Sequence, residues 1–264
     1  MRPAPAADPA ALASFPSAAR VLVQGASRGI GREFVRQLLA CDNVAELYAT
    51  CRDPASAHDL GELAESDARL RPLALDVTDE KSIAHAAATV AAGGPRLHLL
   101  VNCAGLLHDG DLQPEKRLAD VTPDALRRSF EVNASGPLLV AKHFQPLFRH
   151  RERAVFASLS ARVGSIGDNR LGGWYAYRGA KAAQNMFTRT VAIEFARTAR
   201  STVVLALHPG TTDTGLSKPF QANVDPDWLF PPAYTVHALL KVIDAAGPEA
   251  HGALLAFDGE RLPW

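Results

Sequence analysis

"VQGASRGIG", residues 23–31, decides how the rest of this 264-residue chain is read. An apolar run, "RVLVQG" at 20–25, enters it, and the helical pattern "IGREFVRQLLA" at 30–40 leaves it. Within it Gly25, Gly29 and Gly31 are spaced G-x-x-x-G-x-G. The first glycine suits a tight turn. The later ones let backbone approach a pyrophosphate and let the helix pack close to a sheet. An anion in this loop, beside Ser27, Arg28 and Ile30, meets unpaired N–H groups and the positive end of the helix dipole. Between a strand and a helix, the pattern implies dinucleotide binding.

Further apolar runs follow: "ELYATC" (46–51), "LRPLALDV" (70–77), "LHLLVNCAG" (97–105), "RAVFASLS" (153–160), "TVVLALHPG" (202–210) and "GALLAFDG" (252–259). Helical patterns such as "KSIAHAAATVAA" separate them. Near-continuous apolar strands alternating with helices predict an α/β fold, a doubly wound parallel (Rossmann) sheet of about seven strands with helices on both faces. Ligands of such sheets bind beyond the carboxyl ends of the strands. Residues 20–264 form one domain, and the Ala/Pro-rich stretch 1–19 reads as a flexible arm.

The charge balance is 28 basic against 28 acidic side chains, so no basic stripe points to nucleic acid or an acidic membrane. No apolar run is long enough to span a bilayer. Cys41, Cys51 and Cys103 lack metal or redox spacing and suit small buried thiols in a reducing compartment. The expected location is cytoplasmic, with organelle targeting by the arm as the alternative. The nine histidines show no metal spacing, so no metal is implied.

The strand ends carry the informative residues. After the second strand, Arg52 stands near the place where an NAD site puts a carboxylate, and Arg28 lies in the glycine loop. Two guanidinium groups suit a 2′-phosphate, which selects NADP(H); Asp53, before Pro54, belongs to the turn. Asp76 can bond an adenine amino group with Val77 packed on the ring, which leaves Thr78 to cap the helix over 79–92. Asn102, Ala104 and Gly105 lie along the ribose and pyrophosphate. Pro209 and Gly210 shape a turn beside the nicotinamide, whose carboxamide Thr212 or Thr214 can bond.

"GGWYAYRGAK", 172–181, places Tyr177 four residues before Lys181, on one helical face, whereas Tyr175 lies off it. A phenol with pKa about 10 must fall to about 7 to exchange protons near neutrality, roughly 4 kcal/mol. A unit charge about 4 Å away supplies that much at an effective dielectric near 20. In "TPDALRRSFEVNASGPLLVAKHF", Thr122 is an N-cap and Pro123 opens the helix. Pro137 deprives the Asn133 carbonyl of its helical partner and kinks the helix at Gly136–Pro137.

In order, "GASRGIG", "DV" at 76–77, "NCAG" at 102–105, Asn133, "YRGAK" at 177–181 and "HPGTTDT" at 208–214 resemble the short-chain dehydrogenase/reductase family of compact single-domain type. Within it the chain is most similar to the C-factor and sniffer-like carbonyl reductases, through "LLHDGDLQPEKRL", "RVGSIGDNRLGGWYAYRGAK", "TGLSKPFQANV" and "FDGERLPW". The resemblance implies Tyr177 as proton donor to a substrate carbonyl, Lys181 as its charged helper and Asn133 as a proton-relay residue. A small carbonyl or alcohol substrate follows, with a homodimer or homotetramer as the expected assembly. A cofactor-binding signalling or redox-sensing protein of the same fold is the alternative.

Two positions depart from the family pattern: Gln24 replaces a threonine, and Ala161 stands where the second serine of a pair is usual. The family's oxyanion-stabilising serine is therefore assigned to Ser160, over Ser165. The chain leaves the sheet there, so a one-residue shift can be absorbed. The segment 215–233 is either a lid or a subunit contact.

Overall fold

The computed structural model describes residues 12–264. Its strands are β1 (Ala19–Gln24), β2 (Val44–Cys51), β3 (Leu70–Ala74), β4 (Leu99–Asn102), β5 (Ala154–Leu159), β6 (Thr202–His208), a short parallel pair β7 (Thr211–Thr212) and β8 (Leu229–Phe230), and β9 (Ala253–Ala256). Seven of them form one parallel sheet in the order β3-β2-β1-β4-β5-β6-β9. The chain starts in the middle and winds outward in both directions, as expected of a doubly wound sheet. The order reverses between β1 and β4, which opens a crevice at their carboxyl ends.

The helices are α1 (Gly29–Leu39), α2 (His58–Ser66), α3 (Glu80–Ala92), α4 (Pro123–Phe130), α5 (Gly136–Phe144), α6 (Tyr175–Thr198) and α7 (Pro232–Ala245). Strand side chains alternate between two apolar layers. Val21, Val23, Leu99 and Val101 join Phe34, Leu38, Leu239 and Ile243 under α1 and α7. Leu22, Leu100 and Phe156 join Ile83, Val140, Phe144 and Phe195 under α3, α5 and α6. Because both faces are covered, both parities must be apolar, which explains the continuous runs in the sequence.

The N-terminal boundary moves. Leu12 and Phe15, assigned to the arm, are buried in the α1–α7 layer. Asn43 Nδ2 donates to Leu12 O at 2.7 Å, Ser14 Oγ donates to Asp244 Oδ1 at 2.6 Å, and the Arg153 guanidinium lies 5.2 Å from the Phe15 ring centre. Two large apolar side chains anchor a stretch whose Ala/Pro composition reads as loose. Residues 1–11 of the expected arm lie outside the described residues.

Thr122 caps α4, accepting from Ala125 N at 3.2 Å. The expected kink is a π turn, Glu131–Ser135, in which Gly136 N–H reaches Glu131 O. Proline at 137 has no N–H for Asn133 O, and the widened turn takes up the mismatch. The cap of α3 is Asp79, whose carboxylate accepts from Lys81 N at 2.9 Å, not Thr78. Among the described residues, no helix is long and apolar enough to cross a membrane.

Candidate active site

The glycine loop is built by close approaches. A Cβ on Gly25, at φ 81°, would lie 2.6 Å from Ala104 N, so the β1 and β4 loops touch there. A Cβ on Gly31 would lie 2.1 Å from Gly25 O, which seats α1 on its own turn. Arg28 takes the N-cap position without a capping side-chain bond, and no acidic residue stands in the first turn. The leading N–H groups of α1 are thus left for an anion, beside Ser27 and Ile30. Gln24, the departure from the family pattern, has a structural role: its Oε1 accepts from Ala104 N at 3.2 Å and ties the β1 and β4 ends together.

Two buried oxygens at the carboxyl ends of β2 and β4, the strands that flank β1, have no protein partner: Thr50 Oγ1 and Asn102 Oδ1. Arg28 and Arg52 are exposed, and neither is in an ion pair among the described residues. Asp53 accepts from Ala55 N at 3.1 Å, the expected turn role. Asp76 Oδ1 accepts from Thr78 N and Thr78 Oγ1 at 2.8 and 2.7 Å, so only its second oxygen is open to a ligand. Val77 is buried where a Cβ on Gly136 would meet it at 2.8 Å.

α6 brings Tyr177 and Lys181 together. Lys181 Nζ lies 5.7 Å from the Tyr177 ring centre and donates to Leu159 O and Gln184 Oε1 at 2.8 and 2.9 Å. Burial holds the Lys181 pKa down at about 7 and pushes the Tyr177 phenol up. The Tyr177 phenol is therefore not depressed as the Lys181 charge alone would have it, because desolvation disfavours both charged forms. Asn133 is fully buried and clamps the loop after β4, accepting from Leu106 N at 2.9 Å and donating to Leu106 O at 2.7 Å. A Cβ on Gly105 would lie 3.5 Å from its Oδ1.

Ser160 stands differently from expectation. The ladder continues through it, with Ser160 N donating to Leu207 O at 2.8 Å. Strand parity therefore sends its side chain with Phe156 and Ser158 towards α6, where Oγ donates to Asn185 Oδ1 at 2.6 Å. No shift is absorbed, and its proton is committed. Ser165 is also buried, but its Oγ accepts from Asp168 N at 3.1 Å and keeps its own proton. It follows Gly164, whose Cβ would lie 2.7 Å from Lys181 Cβ.

The segment after β6 folds back over this site, pinned at its base by the β7–β8 pair. A Cβ on Gly29 would lie 3.3 Å from Thr214 Cγ2, and one on Gly105 3.7 Å from Leu216 Cδ1. His108 Nε2 meets Gly215 O at 3.1 Å. Phe220 packs edge-on against His108 and Trp174, at 5.7 and 5.1 Å between ring centres. Thr214 faces the glycine loop, whereas Thr212 is bound to Thr235 in α7 at 2.9 Å. Pro209 precedes Gly210, at φ 71°, where a Cβ would lie 2.8 Å from Phe230 Cε2, so only glycine admits the Phe230 ring. His208 stays neutral: burial holds its pKa down at about 4, and its Nδ1 accepts from Arg162 N.

Three contributors were missed in the sequence. Gln184 holds Lys181, and its i+3 spacing was the available signal. Trp174 is left-handed at φ 52°, a backbone that costs roughly 1–2 kcal/mol for a residue with a Cβ; the preceding Gly172–Gly173 was the hint. Glu115 is buried against the first turn of α6, accepting from Ala176 N at 3.2 Å through Oε2. Nothing local in the sequence marks that contact, which spans 61 positions.

The family model described as short chain dehydrogenase matches residues 19–225. The chain is 32% identical over 244 residues to 1-hydroxy-2-glutathionyl-2-methyl-3-butene dehydrogenase of Rhodococcus sp. (strain AD45), covering 92% of this chain and 99% of that one. It is 35% identical over 147 residues to C-signal of Myxococcus xanthus, covering 56% of this chain and 83% of that one. The structure of NADPH-bound carbonyl reductase from chicken fatty liver superposes with a TM-score of 0.84 at 31% identity, over 94% of this chain and 99% of that one. The match runs from β1 through the segment that covers the Tyr177–Lys181 pair, and the chain belongs to the short-chain dehydrogenase family.

Proposed function

We propose that this chain is an NADP(H)-dependent oxidoreductase that reduces a small carbonyl compound. The observation that carries the reading is the Tyr177–Lys181 pair, desolvated on one face of α6. Gly25, Ser27, Arg28, Gly29, Ile30 and Gly31 would hold the pyrophosphate. Asp76 and Val77 would hold the adenine, with Asn102, Ala104 and Gly105 along the ribose and Pro209, Gly210 and Thr214 at the nicotinamide. The uncapped α1 and the two partnerless oxygens support that fit. Bound NADPH would supply hydride to the carbonyl carbon.

The chain's own residues handle the proton. Tyr177, kept neutral by burial, donates its phenolic proton to the carbonyl oxygen as negative charge develops there. A charge at the separation of Lys181 steadies the resulting phenolate by about 3 kcal/mol at an effective dielectric near 20. Ser165, with its proton free, stabilises the substrate oxygen in place of Ser160. Asn133 holds the loop after β4 beneath the site, and the segment over Gly29 and Gly105 excludes water.

Arg28 and Arg52 favour NADPH, a choice consistent with the NADPH-bound relative. The test is oxidation of NADPH and of NADH against a panel of aldehydes and ketones. Arg52→Ala should weaken NADPH binding by about tenfold to a hundredfold, at about 1.5–3 kcal/mol per charge-assisted bond, and leave NADH unchanged. Equal use of both cofactors by the wild type would remove the arginine argument, and no oxidation with any carbonyl compound would remove the reductase reading.

A further inference from the structure

Residues 172–174 form three successive left-handed positions before α6: Gly172 at φ 63°, Gly173 at 65° and Trp174 at 52°. Such residues usually occur singly, because a side chain there crowds the following carbonyl. Glycine at 174 would hold the same backbone without crowding, so the turn itself does not require an indole. Trp174 is the one non-glycine residue at positive φ among those described.

The turn is clamped from outside. Glu115 O accepts from Trp174 N at 2.5 Å, and Arg178 Nε donates to Gly172 O and Gly173 O at 3.2 and 3.0 Å. The result is an indole held in one place, edge-on to the Tyr177 ring at 6.2 Å and to Phe220 at 5.1 Å. His108 continues the row beyond Phe220, and Leu216 lies over Gly105. The groups beside the Tyr177 phenol on this side are thus aromatic and apolar. The charges nearby face away: Arg178 also binds Val163 O at 3.2 Å, and the Glu115 carboxylate is buried under Ala176.

We propose that Trp174 is a specificity-determining residue, the wall on which a planar apolar substituent lies when the substrate oxygen meets Tyr177. The site then favours aryl or conjugated carbonyl compounds over small aliphatic ones, since an aromatic edge or face adds attraction beyond the area it covers. This rests on the reading of Tyr177 as proton donor.

Acetophenone and butanone test it, being methyl ketones that differ only in phenyl against ethyl. Trp174→Gly removes the indole while keeping a backbone that glycine adopts freely, and Trp174→Phe keeps a ring. In Trp174→Gly, KM for acetophenone should rise about tenfold or more while butanone changes by less than about twofold. Trp174→Phe should recover most of the difference, with NADPH affinity and melting temperature no lower than wild type. An equal loss for both ketones, or a loss for neither, overturns the proposal.

If the wild type turns over neither ketone, the reductase reading is judged separately on the wider panel of aldehydes and ketones, and calorimetric binding of the same pair to the NADP+ complex decides the wall. Acetophenone binding about tenfold weaker in Trp174→Gly than in wild type upholds the wall. Equal binding, or no preference of the wild type for acetophenone over butanone, rejects it.

Discussion

At the amino end of the strands, Arg20 in β1 commits its whole guanidinium inside the protein; at the carboxyl end, buried groups are left with unused capacity. Arg20 donates to Glu46, Gly94 O, Arg96 O, Tyr48 and Val90 O over 2.6–3.0 Å. His98 beside it accepts from Arg20 N at 3.0 Å through Nδ1 and pairs with Glu152 at 2.8 Å through Nε2. His98, His150 and Glu152 place potential ligand atoms within 4.8 Å of one another. A neutral imidazole that accepts at Nδ1 carries its proton on Nε2, however, so the lone pair a metal needs there is absent. That end is a hydrogen-bond network.

The carboxyl end differs in each respect. Thr50 Oγ1 and Asn102 Oδ1 lack partners, Lys181 is desolvated to a pKa of about 7, and Trp174 is strained. The same sheet thus ties Arg20, Glu46 and Tyr48 into one network at the amino end. It leaves donors, acceptors and strain where a ligand can meet them.

The contrast breaks first at Tyr177. Tyr177→Phe should reduce turnover by about 10²–10⁴, the range for a general acid, with cofactor affinity and stability unchanged. Tyr175→Phe, exposed and off that face, should keep most activity. Steady-state NADPH oxidation reads both, and equal losses would show that the i,i+4 placement is irrelevant.

Arg20→Ala tests the opposite end. Leaving Glu46 with Arg71 as its remaining ion-pair partner and three carbonyls without the Arg20 donor should cost about 3 kcal/mol in urea unfolding. Turnover per folded molecule should hold. A drop in that turnover would mean the two ends are coupled.

The serines come next. Ser165→Ala should lower turnover by about 10²–10³, as for loss of one oxyanion donor. Ser160→Ala should change stability more than rate, since it removes the bond to Asn185. The reverse pattern would restore the expectation drawn from the strand alignment.

The effect with the smallest step per measurement is a pH slope. The Lys181 pKa is depressed to about 7 from an ordinary 10.5. Below 7 folded and unfolded chains both carry the proton, so the cost of the buried charge is fully present. Between the two values only the unfolded chain holds it, so stability should rise with pH, by up to about 1.4 kcal/mol per unit. Lys181→Met should lose that rise in cofactor-free protein, and parallel pH profiles for the two proteins would show Lys181 to be solvated.

The seven apolar runs, the glycine loop and the i,i+4 pair were legible because each is a local pattern. Strand and helix periods and the conformational freedom of glycine act over a few residues, and so they show in the residue order itself. Local spacing was also enough to prefer Tyr177 over Tyr175 and to leave Asp53 to its turn.

Other features depend on groups far apart in the chain. Whether Ser160 reaches the site turned on how long β5 stays paired with β6, which Leu207 decides. Whether the first residues are an arm turned on a gap that Leu12 and Phe15 fill beside α7. The tyrosine's resting protonation followed from burial, since desolvation depends on everything packed around a phenol and not on the charge four residues away. Trp174 is held by Glu115, from another loop, and no periodicity records that contact. The sequence alone determined the fold and the residue types at its ligand end. Tertiary packing decided which hydroxyls keep a free proton, which charges lose their water and which side chains close over the site, because those energies arise between elements brought together only by folding.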